Sequence, residues 1–75
     1  MVKEEFVQNF ADQFEYTDSS EISAKTVFHD LEEWDSLLAL AVLNMCEKKF
    51  GKKLTFKEMK VCVTVEDLYK VINNK

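Results

Sequence analysis

The sequence predicts an all-α fold: a small four-helix bundle of three main helices and one short helix, with a long first loop. The 75-residue chain has no proline and one glycine, and 47% of its residues are hydrophobic. This composition disfavours both a disordered chain and a β fold with Gly/Pro turns. Apolar residues also recur at helical spacing, and helix start signals precede the later apolar stretches. Because a chain of this length holds one modest core, we expect residues 1–75 to form a single domain.

The first predicted helix covers about residues 2–14. Phe6, Phe10 and Phe14 recur every four residues and form an aromatic stripe, which we interpret as part of the core. The polar residues 15–25 then predict a long loop. Four apolar residues are expected to anchor the connection across the domain: Ile22, Val27, Phe28 and Leu31.

The most apolar helix is predicted to begin at Ser36 and to end at Gly51, a residue that suits a helix C-terminus. At 100° per residue, one set of side chains forms the expected core face: Ala39, Val42, Leu43, Cys46 and Phe50. Leu37 and Ala41, with Leu38 beside them, are expected on the outward side. An outward face this apolar indicates a partner surface, although a helix buried nearly all round would show the same pattern.

Two capping boxes predict the remaining helices. Thr55 with Glu58 starts a short helix that runs to about Lys60, and Thr64 with Asp67 starts the last helix. The last helix is expected to turn four residues inward: Val65, Leu68, Val71 and Ile72.

Asp35 and Ser36 stand where the apolar helix would begin. Short polar side chains there accept hydrogen bonds from the first backbone N–H groups, so one interpretation is a simple N-cap. The same N–H groups and the helix dipole also favour an anion. Ser36 could therefore be the hydroxyl to which a phosphate is attached, and the choice between the two interpretations decides the function.

Charge and composition exclude several other classes. The net charge of −4 disfavours a nucleic-acid partner, which needs a basic surface. No apolar run reaches membrane-spanning length, and the acidic start M-V-K-E-E-F does not resemble a signal peptide. We expect a cytoplasmic monomer. Cys46 and Cys62 are expected to be core residues and not metal ligands or a disulfide.

Other polar and aromatic residues near the serine have simpler explanations. Trp34 is expected to pack. Glu32 and Glu33 are first of all expected to be solvated surface, like the Lys52–Lys53 pair. A hydrolase triad of Ser36, His29 and an aspartate has little support, because a chain this small offers no substrate cleft or oxyanion hole.

The chain resembles the acyl carrier proteins and their peptidyl- and aminoacyl-carrier relatives. The resemblance rests on F-H-D-L-E-E-W-D-S-L at residues 28–37, on E-K-K-F-G at residues 47–51 and on T-V-E-D-L-Y-K-V-I at residues 64–72. It implies that Ser36 receives covalent 4′-phosphopantetheine from coenzyme A. It also implies that Asp35 and Leu37 contact the phosphopantetheinyl transferase and the acyl-loading and acyl-processing enzymes. The protein would be a carrier of acyl thioesters and not an enzyme.

This sequence departs from fatty-acid carriers, which usually have acidic residues along the helix after the serine. Here Leu38, Ala41 and Lys48 take outward positions, and the acids precede the serine instead. We expect partner contacts at Asp35, Leu37, Leu38 and Ala41, in either fatty-acid or specialised lipid or polyketide-type biosynthesis. An aminoacyl or peptidyl carrier, or an unmodified helical interaction module, is the alternative.

Overall fold

Four α-helices make up most of the part of the chain that the computed structural model describes, residues 2–75. Their bounds are α1 Lys3–Ala11, α2 Ser36–Phe50, α3 Phe56–Val61 and α4 Val65–Asn73. Single 3-10 turns at Ser19–Glu21 and Phe28–Asp30 lie in the long connection between α1 and α2. Within residues 2–75 there is no strand, and the only β-type pairing is an isolated bridge. The predicted all-α fold with one short helix is confirmed.

Helix α1 ends three residues earlier than the sequence predicts. The N–H groups of Gln13 and Phe14 donate to the carbonyls of Phe10 and Ala11, both at 3.1 Å, so the chain tightens into 3-10 geometry after Ala11. The aromatic stripe nevertheless belongs to the core, because Phe6, Phe10 and Phe14 are all buried. The side chains were thus assigned correctly to the core, although the helix boundary was wrong.

The core lies where α1 packs against α4 and α2. Its largest fully buried side chains come from α1, the α1–α2 connection, α2 and α4: Phe6, Phe10, Phe28, Leu68, Ile72, Val42, Val65 and Cys46. Trp34 stacks on the Phe10 ring with centroids 6.0 Å apart and meets the Phe28 ring edge-on at 4.9 Å. Trp34 is therefore a packing residue, as predicted.

Helix α2 is buried over a wider arc than the sequence predicts. Ala39, Val42 and Cys46 are buried as expected, whereas Leu43 and Phe50 are half-buried. Leu38 and Met45, placed outside the core face, are also buried. Their placement was wrong because Gln13, which follows α1, lines the same grooves on this flank of α2. An isolated helical period cannot reveal such a neighbour.

The helix ends follow local sequence signals closely. Gly51 ends α2 with φ of 65°, in the left-handed region, and its N–H donates to the Glu47 carbonyl at 3.0 Å. Both capping boxes form: Thr55 with Glu58 at the start of α3, and Thr64 with Asp67 at the start of α4. In α4, Val65, Leu68 and Ile72 are buried while Val71 is half-buried.

The second half of the α1–α2 connection is attached to the start of α4. Val27 and Thr64 form the isolated antiparallel bridge, and the Val65 and Glu66 N–H groups donate to the carbonyls of Thr26 and Ala24 at 3.0 and 2.8 Å. Ile22 and Phe28 are buried and Leu31 is half-buried, as predicted for anchors. Val27, by contrast, is exposed, so its side chain is not an anchor; the backbone carbonyls of Thr26 and Ala24 attach this stretch to α4.

Both cysteine thiols are free and buried. Burial raises the pKa of Cys46 to about 12, and burial followed by the nearby Asp67 and Glu58 charges raises the pKa of Cys62. The two residues behave as small core side chains, as predicted. None of the described helices is long and apolar enough to cross a membrane.

Candidate functional site

The start of α2 presents an exposed serine. Asp35 has extended backbone angles and caps the helix: its Oδ1 accepts from the Leu38 N–H at 2.8 Å, and its carbonyl accepts from the Ala39 N–H at 2.9 Å. Ser36 is the first helical residue and is exposed. Because the cap is the aspartate, the serine hydroxyl is not needed to cap the helix and remains available for chemistry.

The first turn of α2 also retains free hydrogen-bond donors. Among residues 2–75, no acceptor lies against the N–H groups of Ser36 and Leu37, whereas the Leu38 N–H is taken by Asp35. Free N–H groups and the positive end of a 15-residue helix dipole both stabilise an anion. A phosphate attached to the Ser36 hydroxyl therefore fits the residues that surround it.

A shallow groove of about 300 Å³ lies beside the two neighbours of Ser36, and we call it the α2 groove. It is lined by Gln13, Glu15, Tyr16, Glu33, Asp35, Leu37, Leu38 and Ala41. A second hollow of about 330 Å³ shares Gln13 and Ala41 with it and continues along α2 towards Lys48 and Lys49. Ser36 thus lies between two residues, Asp35 and Leu37, that line the α2 groove, and the second hollow extends beside it to Lys48 and Lys49.

The residues predicted to contact partner enzymes differ in how accessible they are. Leu37 is 78% exposed and Ala41 is half-buried, so both can be reached by a partner. Leu38 is only 8% exposed, and its assignment to the outward face was wrong because it forms part of the groove floor. Leu40, which is not part of the predicted core face, is 45% exposed.

Glu33 has a role that the sequence did not indicate. Its carboxylate accepts from the backbone N–H groups of Glu15, Tyr16 and Thr17 at 2.7, 2.9 and 2.8 Å, and from the Thr17 hydroxyl at 2.9 Å. Desolvation raises the pKa of Glu33, but these hydrogen bonds outweigh it, so its pKa lies below the ordinary value. Glu33 lies at the surface, as expected, but it is half-buried and bonded to the first loop, which the sequence did not indicate.

No local signal could have revealed these bonds. The partners of Glu33 lie 16 to 18 residues earlier in the sequence, and Glu32 beside it has the same side chain without such contacts. Only the path of the first loop distinguishes the two glutamates.

His29 is used as an anchor. Its Nε2 lies 3.2 Å from the Cys62 carbonyl oxygen, and its ring packs on Phe28 with centroids 4.2 Å apart. The contact with Cys62 attaches the segment before Ser36 to the connection between α3 and α4, and it gives the imidazole a structural role.

The comparison with protein families agrees with this geometry. A family model described as a phosphopantetheine attachment site matches residues 4–72, nearly the whole chain. Comparisons with curated proteins and with solved structures give no match.

The family match indicates which cofactor the chain carries and which classes of enzyme such domains contact. Domains of this kind bear covalently attached 4′-phosphopantetheine, generally catalyse no reaction themselves, and interact with a phosphopantetheinyl transferase and with processing enzymes. The match covers well over half of the sequence. The chain therefore belongs to the phosphopantetheine-attachment family, that of the acyl and peptidyl carrier proteins.

Proposed function

We propose that the 75 residues form a single carrier domain in which the Ser36 hydroxyl bears the phosphopantetheine arm. The observation that carries this proposal is the exposed hydroxyl at the first position of α2, next to two unoccupied N–H groups. Ser36 is also released from capping, since Asp35 performs that task. When bound, the arm supplies a thiol that holds an acyl group as a thioester.

Attachment breaks the phosphoanhydride of coenzyme A and forms a phosphodiester on the carrier, which supplies the nucleophile. A bond forms between Ser36 Oγ and the phosphopantetheine phosphorus of coenzyme A, and the bond from that phosphorus to the bisphosphorylated adenosine breaks. The hydroxyl proton passes to a base, which the transferase must provide. The chain's own contribution is to hold the oxygen exposed and to place helix N–H groups near the new anionic phosphate.

The arm's cargo is proposed to be an acyl group of a specialised lipid or polyketide-type pathway in the cytoplasm. Support comes from the face that α2 offers to enzymes. Leu37 and Leu40 are exposed there, and Lys48 and Lys49 follow near the far end. Enzymes that bind this face would dock through apolar contacts. Their basic groups would lie only where they can pair with the acidic residues that precede Ser36. Fatty-acid synthesis and an aminoacyl or peptidyl cargo are the alternatives.

Intact-mass measurement tests the attachment site. The protein is incubated with coenzyme A, Mg²⁺ and a promiscuous phosphopantetheinyl transferase, and a mass gain of one phosphopantetheine is expected. Ser36→Ala should abolish the gain, whereas Ser19→Ala, at another exposed serine, should keep it. If the wild type gains no mass while a known carrier is modified alongside, the attachment proposal is wrong. An interaction module that binds partners through Leu37 and Ala41 would then be favoured.

A second assay addresses the cargo. The loaded protein is offered to the general enzymes of fatty-acid synthesis, with a housekeeping carrier as the reference. We expect turnover well below the reference, because α2 lacks a continuous acidic face. Equal turnover would contradict assignment to a specialised pathway and would leave Ser36 attachment intact.

A further inference from the structure

Three consecutive residues of the first loop are held by one side chain. The Glu33 carboxylate accepts hydrogen bonds from the N–H groups of Glu15, Tyr16 and Thr17 and from the Thr17 hydroxyl, all at 2.7 to 2.9 Å. Such short bonds to an ionised acceptor are the stronger kind of hydrogen bond. Since Glu33 lies three residues before Ser36, these bonds join the loop to the segment that leads into α2.

Apolar packing does not hold this part of the loop. Phe14 and Ile22 are buried, but every residue between them is exposed or half-buried. The other hydrogen bonds in the interval, such as the one from the Ser20 N–H to Asp18, join near neighbours and do not reach another element. Glu33 is therefore the contact that fixes residues 15–17 against the rest of the domain.

Two of the residues that Glu33 holds line the α2 groove. Glu15 and Tyr16 share it with Leu37 and Ala41 of helix α2. Tyr16 is 84% exposed, so its backbone is fixed while its ring projects into solvent. An exposed aromatic side chain on a fixed backbone is well suited to contact another protein, because little further ordering is needed on binding.

We propose that Glu33 is a positioning residue for the phosphopantetheinyl transferase that acts at Ser36. By holding the backbone of residues 15–17, it fixes Glu15 and Tyr16, two residues of the α2 groove that the transferase contacts. This inference rests on the proposed attachment at Ser36. Loss of the Glu33 contacts should weaken docking of the transferase and leave the chemical step unchanged, because the described hydrogen bonds of Glu33 all go to residues 15–17 and none to Ser36.

Three variants distinguish the effect of the Glu33 hydrogen bonds from the effect of its negative charge. Glu33→Gln keeps the size of the side chain but replaces one accepting oxygen with an NH₂ group, which cannot accept from a backbone N–H. Glu33→Asp keeps the charge but shortens the reach by one methylene. Glu32→Gln removes the same charge from the neighbouring exposed residue, whose carboxylate accepts no hydrogen bond within the described structure, and so measures the effect of charge alone.

Transfer kinetics provide the functional measurement. The KM of the transferase for the apo protein is expected to be about five- to tenfold higher for Glu33→Gln than for Glu32→Gln, with kcat unchanged. The reason is that loop side chains no longer held in place must be ordered when the enzyme binds, which costs binding free energy. Glu33→Asp should also raise KM, although its charge is intact. General unfolding would instead lower the fraction of protein that can be modified. A KM for Glu33→Gln within twofold of that for Glu32→Gln would overturn the proposal.

Amide hydrogen exchange tests the loop without any enzyme. In Glu33→Gln the exchange of the Glu15 amide, the only one bonded to Oε2, should accelerate about tenfold or more. The Tyr16 and Thr17 amides, which donate to Oε1, keep only an uncharged acceptor and should accelerate less, while the amides of α2 and α4 keep their rates. Unchanged exchange at residues 15–17 would refute the positioning role even if Ser36 is modified. If the wild type is never modified, the attachment proposal fails, and the exchange data still decide whether Glu33 holds the loop.

Discussion

Phe28 offers a quantitative test of how the segment before Ser36 is held. Its ring is fully buried and meets the Trp34 ring edge-on at 4.9 Å and the Phe10 ring at 5.9 Å, with an interplanar angle of 70°. Aromatic pairs of this kind are worth about 0.5–1.5 kcal/mol each beyond the area they bury. Phe28→Leu keeps a large apolar side chain but removes both pairs, so we expect a loss of about 1–3 kcal/mol. A domain of this size has roughly 4–11 kcal/mol of stability.

Urea unfolding followed by circular dichroism measures this loss. Phe56→Leu is the matched control, because Phe56 is 52% exposed and surface substitutions usually change stability by less than about 0.5 kcal/mol. In thermal unfolding, each kcal/mol lowers the Tm of so small a domain by about 4–8 °C. If Phe28→Leu is no more destabilising than Phe56→Leu, the aromatic cluster around Trp34 does not hold this segment, and the reasoning is wrong.

Three further predictions concern helix ends and carboxylates. Asp35→Ala should lower stability by about 1 kcal/mol in urea unfolding through loss of the bond to the Leu38 N–H, and no measurable loss would contradict the capping role. Gly51→Ala should cost about 1–2 kcal/mol in the same assay, because alanine is strained at φ of 65°; a Cβ there meets no atom within 4 Å, so a larger loss would point to a different cause. Backbone hydrogen bonds hold the pKa of Asp67 below its ordinary value, and the bonds from residues 15–17 outweigh desolvation to do the same for Glu33. The stability that these two ionised carboxylates contribute is present above their unfolded pKa values, near 4, and is lost as the pH falls through their lower folded pKa values. The urea midpoint should therefore drop as the pH is lowered from about 5 to about 3. A constant midpoint over this range would refute the prediction.

The sequence predicts helix ends well wherever the signal is local. Thr55 with Glu58, Thr64 with Asp67, and Gly51 each act on neighbouring backbone groups, so their effects need no knowledge of the fold. Helix α1 lacks such a signal at its end: turn hydrogen bonds tighten the chain after Ala11, while the apolar spacing continues to Phe14. Periodicity alone therefore overestimated the length of α1.

Contacts between distant segments are the part that periodicity could not supply. Leu38 and Met45 are buried, and Gln13, which follows α1, lines the hollows beside both of them. Whether a residue on the border of an apolar stripe is buried depends on what packs beside the helix. The division of Glu32 and Glu33 into a free and a bound carboxylate has the same origin, since the partners of Glu33 come from residues 15–17.

Both kinds of information meet at the candidate site. The position of Ser36 at a helix start follows from local capping by Asp35, and its exposure leaves the hydroxyl open to an enzyme. The surface beside it depends on tertiary contacts, namely the aromatic packing of Trp34 and the hydrogen bonds of Glu33. Substitutions should therefore separate into two groups: changes at Ser36 decide whether an arm can be attached, whereas changes at Glu33 alter how well an enzyme reaches that attachment point. A Glu33 variant that lowered kcat and left KM unchanged would show that Glu33 affects the chemical step and not only enzyme docking.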